Sequence, residues 1–276
     1  RDAFGEPPRV RFGFESAHLV HRDFERLLSN GTRWAWRPTT DLVEDLRMRK
    51  DPGEVEAIRR ANDVATAALA ATLGEVVAGM MESEVAGRLE GNLRDAGSDG
   101  FPFPTIAASG ERCALPHARA GSRPIAPGDF LLLDFGAVFQ GYCADVTRTV
   151  VIGRASARQR DVYGAVQAAN EVARTRVRAG MTGREADAIA RDCLTGLGLG
   201  EAFGHGLGHG LGLEVHEAPR LSRMAEGVLP VGAVVTIEPG VYLAGWGGVR
   251  IEDYVFLAAD GPVQLTDFPR ELIETG

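Results

Sequence analysis

The sequence predicts an α+β fold made of two related halves, each a pair of helices followed by a β-hairpin. Three observations carry this expectation. Helix-opening caps occur at Asp51-Pro52-Gly53-Glu54, at Ser156-x-x-Gln159 and at Thr182-x-x-Glu185. A weak internal repeat relates Ala78-Gly79-Met80 through Gly97 to Ala179-Gly180-Met181 through Gly198. It then relates Pro127-Gly128 to Gly136 with Val231-Gly232 to Gly240. Finally, Glu84 matches Glu185 at an offset of 101, and Asp134 matches Glu238 at an offset of 104. The same order at nearly the same offset points to a duplicated unit packed about a pseudo-two-fold axis.

The elements follow in chain order. Val10–Phe14 reads as a strand and His18–Leu28 as a helix stopped by Ser29-Asn30-Gly31. Arg33–Arg37 reads as a second strand, and Pro38-Thr39-Thr40 as the opening of another helix. One strand pair with a helix or two cannot bury a core of its own. From Asp51 a helix runs on Val55, Ile58, Ala65 and Leu69 at close to helical period. The chain then divides at 50/51.

Composition excludes several classes. The 276 residues carry 38 acidic and 30 basic side chains, a net charge of −8, which argues against binding a nucleic-acid backbone. No run approaches the roughly 18 apolar residues of a membrane helix. Lysine occurs once, at Lys50. Cys113, Cys143 and Cys193 are odd in number and widely spaced, which suits free thiols in a reducing cytoplasm. Neither a phosphate-loop motif nor G-x-S-x-G is present.

The chemistry lies in the strands. Phe130-Leu-Leu-Leu-Asp134-Phe carries a carboxylate where an apolar residue is expected, and so does Gly141-Tyr-Cys-Ala-Asp145-Val. Asp134 and Asp145 average to 139.5, so a two-residue turn at Phe139-Gln140 puts them opposite each other. Glu238 and Glu252 average to 245, the Gly245 of Ala244-Gly245-Trp246-Gly247, and are likewise expected to face each other, although Pro239-Gly240 interrupts that ladder. Opposed like charges repel, and a divalent cation is the natural compensation. Three of six histidines fall in His205-Gly-Leu-Gly-His209-Gly-Leu-Gly-Leu-Glu-Val-His216, interleaved with glycine as if the backbone passes close to something. Four carboxylates and an imidazole suit Mn²⁺, Co²⁺ or Zn²⁺. Four negative charges balance two such ions, which points to a two-metal site sharing an activated water.

An Asp pair, then H-G-x-G-H-G-x-G-L-x-V-H-E-x-P, then T-x-E-P-G-x-Y and G-V-R-I-E-D resembles the pita-bread metallopeptidases. The resemblance covers about residues 51–276 and lies closest to the proline-specific branch, the Xaa-Pro aminopeptidases and Xaa-Pro dipeptidases (prolidases). It implies a curved, mostly antiparallel sheet covered by helices. It implies that Asp134, Asp145, His209, Glu238 and Glu252 hold two metal ions, Mn²⁺ first among the candidates, with Asp145 and Glu252 bridging and Glu238 taking the proton from the shared water. It further implies that His117 stands on the substrate side, that His205 lines the proline pocket and that His216 stabilises the tetrahedral intermediate. Tyr242 supports the substrate side, and Arg250 stands near the bridging carboxylates. Residues 1–50 are then expected to be the end of a creatinase-like N-terminal domain plus linker.

The activity expected is that of a cytoplasmic Xaa-Pro aminopeptidase acting on short proline-containing peptides, with prolidase as its alternative and a homodimer as one assembly. A non-catalytic pita-bread binding module is the reading from another class; such modules lose ligands, and all five are kept here. Creatine hydrolysis proceeds without this metal set. Methionine aminopeptidase fits less well with His216-Glu217-Ala218-Pro219.

Overall fold

The computed structural model describes residues 10–30 and 34–276. Contacts divide the chain into two units between Leu46 and Arg47, four residues before the boundary drawn from the sequence. In the first, β1 (Arg11–Glu15) and β2 (Ala35–Thr39) pair in parallel, with helix α1 (His21–Asn30) between them in sequence. A parallel pair needs such a crossover. The helix runs through Ser29 and Asn30, and its expected stop at Gly31 lies outside the described residues, as does Arg33. Pro38 and Thr39 finish β2 instead of opening a helix, and α2 begins only at Leu42 (Leu42–Arg47).

The second unit opens with α3 (Pro52–Glu75) and α4 (Glu82–Asp95). Strands β3 (Ile106–Ser109), β4 (Phe130–Phe135), β5 (Val138–Phe139), β6 (Tyr142–Cys143) and β7 (Val146–Ile152) complete the first half. The second half repeats the plan with α5 (Ala157–Arg176) and α6 (Gly183–Gly196). Its strands are β8 (Gly208–Gly210), β9 (Glu217–Leu221), β10 (Val234–Ile237), β11 (Gly240–Leu243), β12 (Gly247–Arg250), β13 (Asp253–Ala258) and β14 (Gly261–Gln264), with β15 (Glu274–Thr275) closing the chain. All three expected capping boxes form, with Glu54 bonded to the Asp51 amide, Gln159 to Ser156 and Glu185 to Thr182.

The duplication reaches the level of single hydrogen bonds. Met81 bridges Pro124 and Thr182 bridges Val228. Gly79 N donates to Ile125 O at 2.8 Å, as Gly180 N does to Leu229 O at 2.9 Å. Two cores match the two halves. Ile58, Leu69, Leu89 and Leu93 pack with Leu131, Leu133 and Phe135. Val162, Val166, Ala190 and Leu194 pack with Phe130 and Leu132. Alternate side chains of β4 thus enter opposite cores, which is why the strand is apolar throughout.

The principal strands form a four-stranded sheet, β15-β7-β4-β3, and a five-stranded sheet, β14-β13-β10-β8-β9. Only β15 joins β7 in parallel; the other pairs in these sheets are antiparallel. The sheets meet where Glu252 N donates to Thr147 O and Arg250 N to Thr149 Oγ1, both at 3.1 Å.

The first hairpin corrects the register read from the sequence. Asp134 faces Thr147, not Asp145, and Phe139 faces Tyr142. The turn is therefore Gln140-Gly141, with φ of 50° and 84°. Positive φ at both central positions is the type I′ hairpin turn, which Gly141 meets without strain and Phe139 would not. The slip amounts to two residues on the facing strand, so Asp145 stays on the face of Asp134 as its diagonal neighbour. The second hairpin keeps its expected register, from Val234 opposite Phe256 through to Leu243 opposite Gly247, and this carries Glu238 opposite Glu252.

No described helix is long and apolar enough to cross a membrane.

Candidate active site

Each half brings one carboxylate pair to a common floor. Asp134 and Asp145 come from the first hairpin, Glu238 and Glu252 from the second, and His209 from β8 beside β10. Ligand atoms of Asp134, Asp145 and Glu252 lie within 4.8 Å of one another, as do those of His209, Glu238 and Glu252. His209 Nε2 stands 3.3 Å from Glu238 Oε1 and 3.6 Å from Asp145 Oδ2. The glycines around His209 have the role anticipated for them. A Cβ on Gly208 would meet Thr236 O at 2.1 Å, and one on Gly210 would meet Ala218 O at 2.1 Å. What the backbone passes closely is its neighbouring backbone.

Two threonines and a glycine orient these side chains. His209 Nδ1 donates to Gly210 O at 3.0 Å, which leaves the Nε2 lone pair facing the carboxylates. Thr236 Oγ1 accepts from His209 N and donates to Glu238 Oε1. Thr147 Oγ1 donates to Glu252 Oε2 at 2.6 Å and accepts from Arg250 Nε at 3.0 Å. Thr147 and Thr236 were missed in the sequence reading. Each lies two residues from a carboxylate in a strand, so each shares its face.

The electrostatics call for cations. Burial pushes the Asp145 and Glu252 carboxyls well above the usual range, and the neighbouring carboxylates add to this. Burial pushes Glu238 up to about 7, with Arg250 opposing and Asp134 adding. Burial pulls His209 down to about 3, so its ring is neutral. Asp134 Oδ1 and Glu252 Oε1 are buried without a hydrogen-bond partner among the described residues. Buried acceptors are normally paired, and hard oxygen donors left free beside a neutral imidazole fit divalent metal ions.

A cavity of about 520 Å³ opens over this floor. Nine of the ten residues expected at the site line it: Asp134, Asp145, His209, Glu238 and Glu252, together with His117, His205, His216 and Arg250. The tenth, Tyr242, is not among the lining residues. It stands behind two that are. Arg250 Nη1 donates to Tyr242 Oη at 2.7 Å, and Tyr242 Oη lies 2.8 Å from His205 Nε2. Burial holds the phenol proton on Tyr242, pushing its pKa to about 12, while His205 is lowered to about 4 by burial and then Arg250. The phenol thus donates to a neutral imidazole whose Nδ1 is bonded to Gly206 O. Arg250 also holds Asp134 Oδ2 at 2.6 Å. The His216 ring packs edge-on against His209, centroids 4.3 Å apart.

The supports of the histidine loops were also missed. Asp187 accepts from Leu207 N and holds Arg191, which donates to Phe203 O and His205 O. Buried Glu82 accepts from Ser109 N, Gly121 N and Arg112 Nε, fixing the loop of His117. Sequence periodicity assigns such residues to ordinary helix surfaces, and only the fold shows what they hold.

The profile of Metallopeptidase family M24 matches residues 56–259. An Xaa-Pro dipeptidase of Pyrococcus horikoshii is 40% identical over 261 residues, 95% of this chain and 74% of that protein. The solved X-Pro aminopeptidase of Thermotoga maritima is 40% identical with a TM-score of 0.93, covering 96% of this chain and 75% of its own. Prolidase from Pyrococcus furiosus is 38% identical with a TM-score of 0.88, covering 94% and 77%. The pita-bread fold expected from the motifs is the one these structures share. Matched by the profile over most of its length and by such relatives over nearly all of it, the chain belongs to metallopeptidase family M24.

Proposed function

We propose that the chain is a two-metal exopeptidase that hydrolyses the Xaa–Pro bond of short peptides. The observation that carries this reading is the convergence of four carboxylates and a neutral His209 on one cavity floor, with two buried oxygens left unpartnered. Asp134, Asp145, His209, Glu238 and Glu252 would hold the ions, with Asp145 and Glu252 shared between them. The carboxylate-rich set supports Mn²⁺, with Co²⁺ or Zn²⁺ as alternatives. When bound, such ions polarise a scissile carbonyl and bring the pKa of a water toward neutrality.

This chain's residues supply the rest. Glu238, on the cavity floor, would take a proton from the attacking water and pass it to the leaving proline nitrogen. The water oxygen bonds to the carbonyl carbon, the C–N bond breaks, and the proton ends on the secondary amine. His216 borders the position where the oxyanion develops, and His117 and His205 flank the substrate. Tyr242 and Arg250 keep His205 and Asp134 in place.

Two readings of substrate length each have support. Arg119 and Arg220 line the cavity and could meet the carboxylate of a dipeptide's proline, which favours a dipeptidase, as does the likeness to the Pyrococcus horikoshii enzyme. The likeness to the Thermotoga maritima enzyme favours an aminopeptidase acting on longer peptides. The Mn²⁺-loaded protein, given an Xaa-Pro dipeptide and an Xaa-Pro-Xaa tripeptide together beside an EDTA control, separates them by mass spectrometry. Cleavage of the dipeptide alone supports the first reading, and cleavage of the tripeptide at Xaa–Pro supports the second. Neither cut with metal bound overturns both and leaves a binding module. The three free cysteines support a reducing cytoplasmic compartment. We also propose a homodimer, which light scattering tests.

A further inference from the structure

The second hairpin keeps its register through Pro239 but loses a hydrogen bond there. The register that pairs Ile237 with Asp253 and Gly240 with Arg250 sets Ile251 opposite Pro239. Ile251 N donates to Pro239 O at 3.3 Å. The return bond cannot form, because proline has no N–H. Ile251 is fully buried, so its carbonyl needs another donor.

Asn170 provides it. Its Nδ2 lies 3.2 Å from Ile251 O and 3.2 Å from Ile237 O. Asn170 is only 1% exposed, on a helix face whose other buried members include Val162, Val166, Ala169 and Ala173. A buried amide among apolar side chains is costly unless it bonds. Here the NH₂ end is committed to two carbonyls, and Oδ1 has no partner. In the first hairpin, Ala144 N donates to Ala137 O at 2.8 Å, and the ladder resumes at Phe135 opposite Val146. The position in α3 that corresponds to Asn170, counted from the helix start, is the buried Ala65.

Ile237 and Ile251 immediately precede Glu238 and Glu252. We propose that Asn170 is a positioning residue of the metal centre. Its amide replaces the ladder bond that Pro239 cannot give and ties together the two carbonyls from which the paired glutamates extend, so it sets the separation of those carboxylates. This rests on the reading of Glu238 and Glu252 as metal ligands. A general packing role would lower stability without touching metal affinity; a positioning role lowers affinity in protein that is still folded.

The test is Mn²⁺ titration of the metal-free full chain by calorimetry and electron paramagnetic resonance, beside its circular dichroism. Asn170→Ala is expected to fold and to bind Mn²⁺ roughly tenfold or more weakly, the scale of lost ligand-orienting contacts. Asn170→Ser, which keeps one donor, is read in the same way should the alanine variant not fold, with a smaller loss expected. Pro239→Ala restores a backbone N–H opposite Ile251 O. The loss caused by Asn170→Ala is therefore expected to shrink in that background, a non-additivity that a double-mutant cycle reads. Wild-type affinity in the folded Asn170 variants overturns the proposal, and so does a loss of equal size with and without Pro239. Wild-type protein that takes up no Mn²⁺ overturns the parent reading and this one with it.

Discussion

The ring of His209 donates from Nδ1 to the carbonyl oxygen of Gly210, 3.0 Å away, and so presents a bare Nε2 to Glu238 and Asp145. Burial keeps that ring unprotonated far below neutral pH. Replacing His209 by Ala removes the only nitrogen donor of the proposed five-ligand set. Mn²⁺ affinity should fall by more than the roughly 10–100-fold typical of an outer supporting contact. Calorimetric titration checks this, with Asp145→Asn as a second case.

Removal of metal should cost stability as well as activity. Four clustered carboxylates repel one another without cations. Saturating Mn²⁺ at about 100 times its Kd should stabilise the fold by about 2.7 kcal/mol. EDTA should abolish turnover and lower Tm, and scanning calorimetry with and without metal measures both the direction and the size.

In the metal-free protein the pH dependence belongs to Glu238 together with Asp145 and Glu252, all raised by burial. The folded pKa of Glu238, about 7, stands above the ordinary 4.5. The folded state therefore binds that proton more tightly than the unfolded chain. The contribution is fully present below about pH 4.5 and is lost as pH rises to about 7. His209 and His205 act in the opposite sense, since their lowered pKa values favour folding above about pH 6.5 and cost stability as pH falls toward 4. Comparison with Glu238→Gln removes the shared histidine effect. In EDTA, the variant should gain Tm relative to wild type between pH 5 and pH 8.

Arg191 should act on the substrate side and leave the metals alone. It donates to Phe203 O and His205 O and is itself held by Asp187. Arg191→Ala should reduce kcat/KM roughly tenfold through a misplaced His205, a small displacement being enough to matter at a reacting centre. Mn²⁺ affinity should stay at the wild-type value, and steady-state kinetics beside calorimetry reads the two separately.

Glu217, next to His216, is clasped by Lys50 and Arg47, and the Lys50 and Glu217 side chains are 1% and 7% exposed. Lys50→Met leaves a buried carboxylate with Arg47 alone. Breaking a buried pair on one side costs about 3 kcal/mol. Urea denaturation should show that loss, and Lys50→Met combined with Glu217→Gln should recover most of it.

The parts legible in the sequence were those fixed by local chemistry or strict counting. Asp51 and Glu54 announced their helix because capping needs only neighbours. Glu238 and Glu252 were placed opposite each other because the loop around Gly245 is symmetric and the strands keep step through Pro239. Asp134 and Asp145 were placed two residues out of register, because the turn was centred on the carboxylates rather than one residue later, where Gly141 can take positive φ. Thr147, Thr236 and Asn170 were not seen. Thr147 meets Glu252 105 residues away, Asn170 meets carbonyls 67 and 81 residues away, and Thr236 meets His209 at 27, although it also bonds Glu238 two residues on; only tertiary packing brings the distant pairs together. Tyr242, expected to support the substrate side, reaches the cavity through His205 and Arg250.

The burial of Lys50 has a practical side. It is the only lysine in the sequence, and its amine is shut away against Glu217. Acylating dyes and amine crosslinkers will therefore find no free side-chain amine on the folded chain. A label appearing at residue 50 marks a molecule in which the segment beside His216 has come open, so the acylation rate becomes an intrinsic clock for local unfolding at the rim of the site.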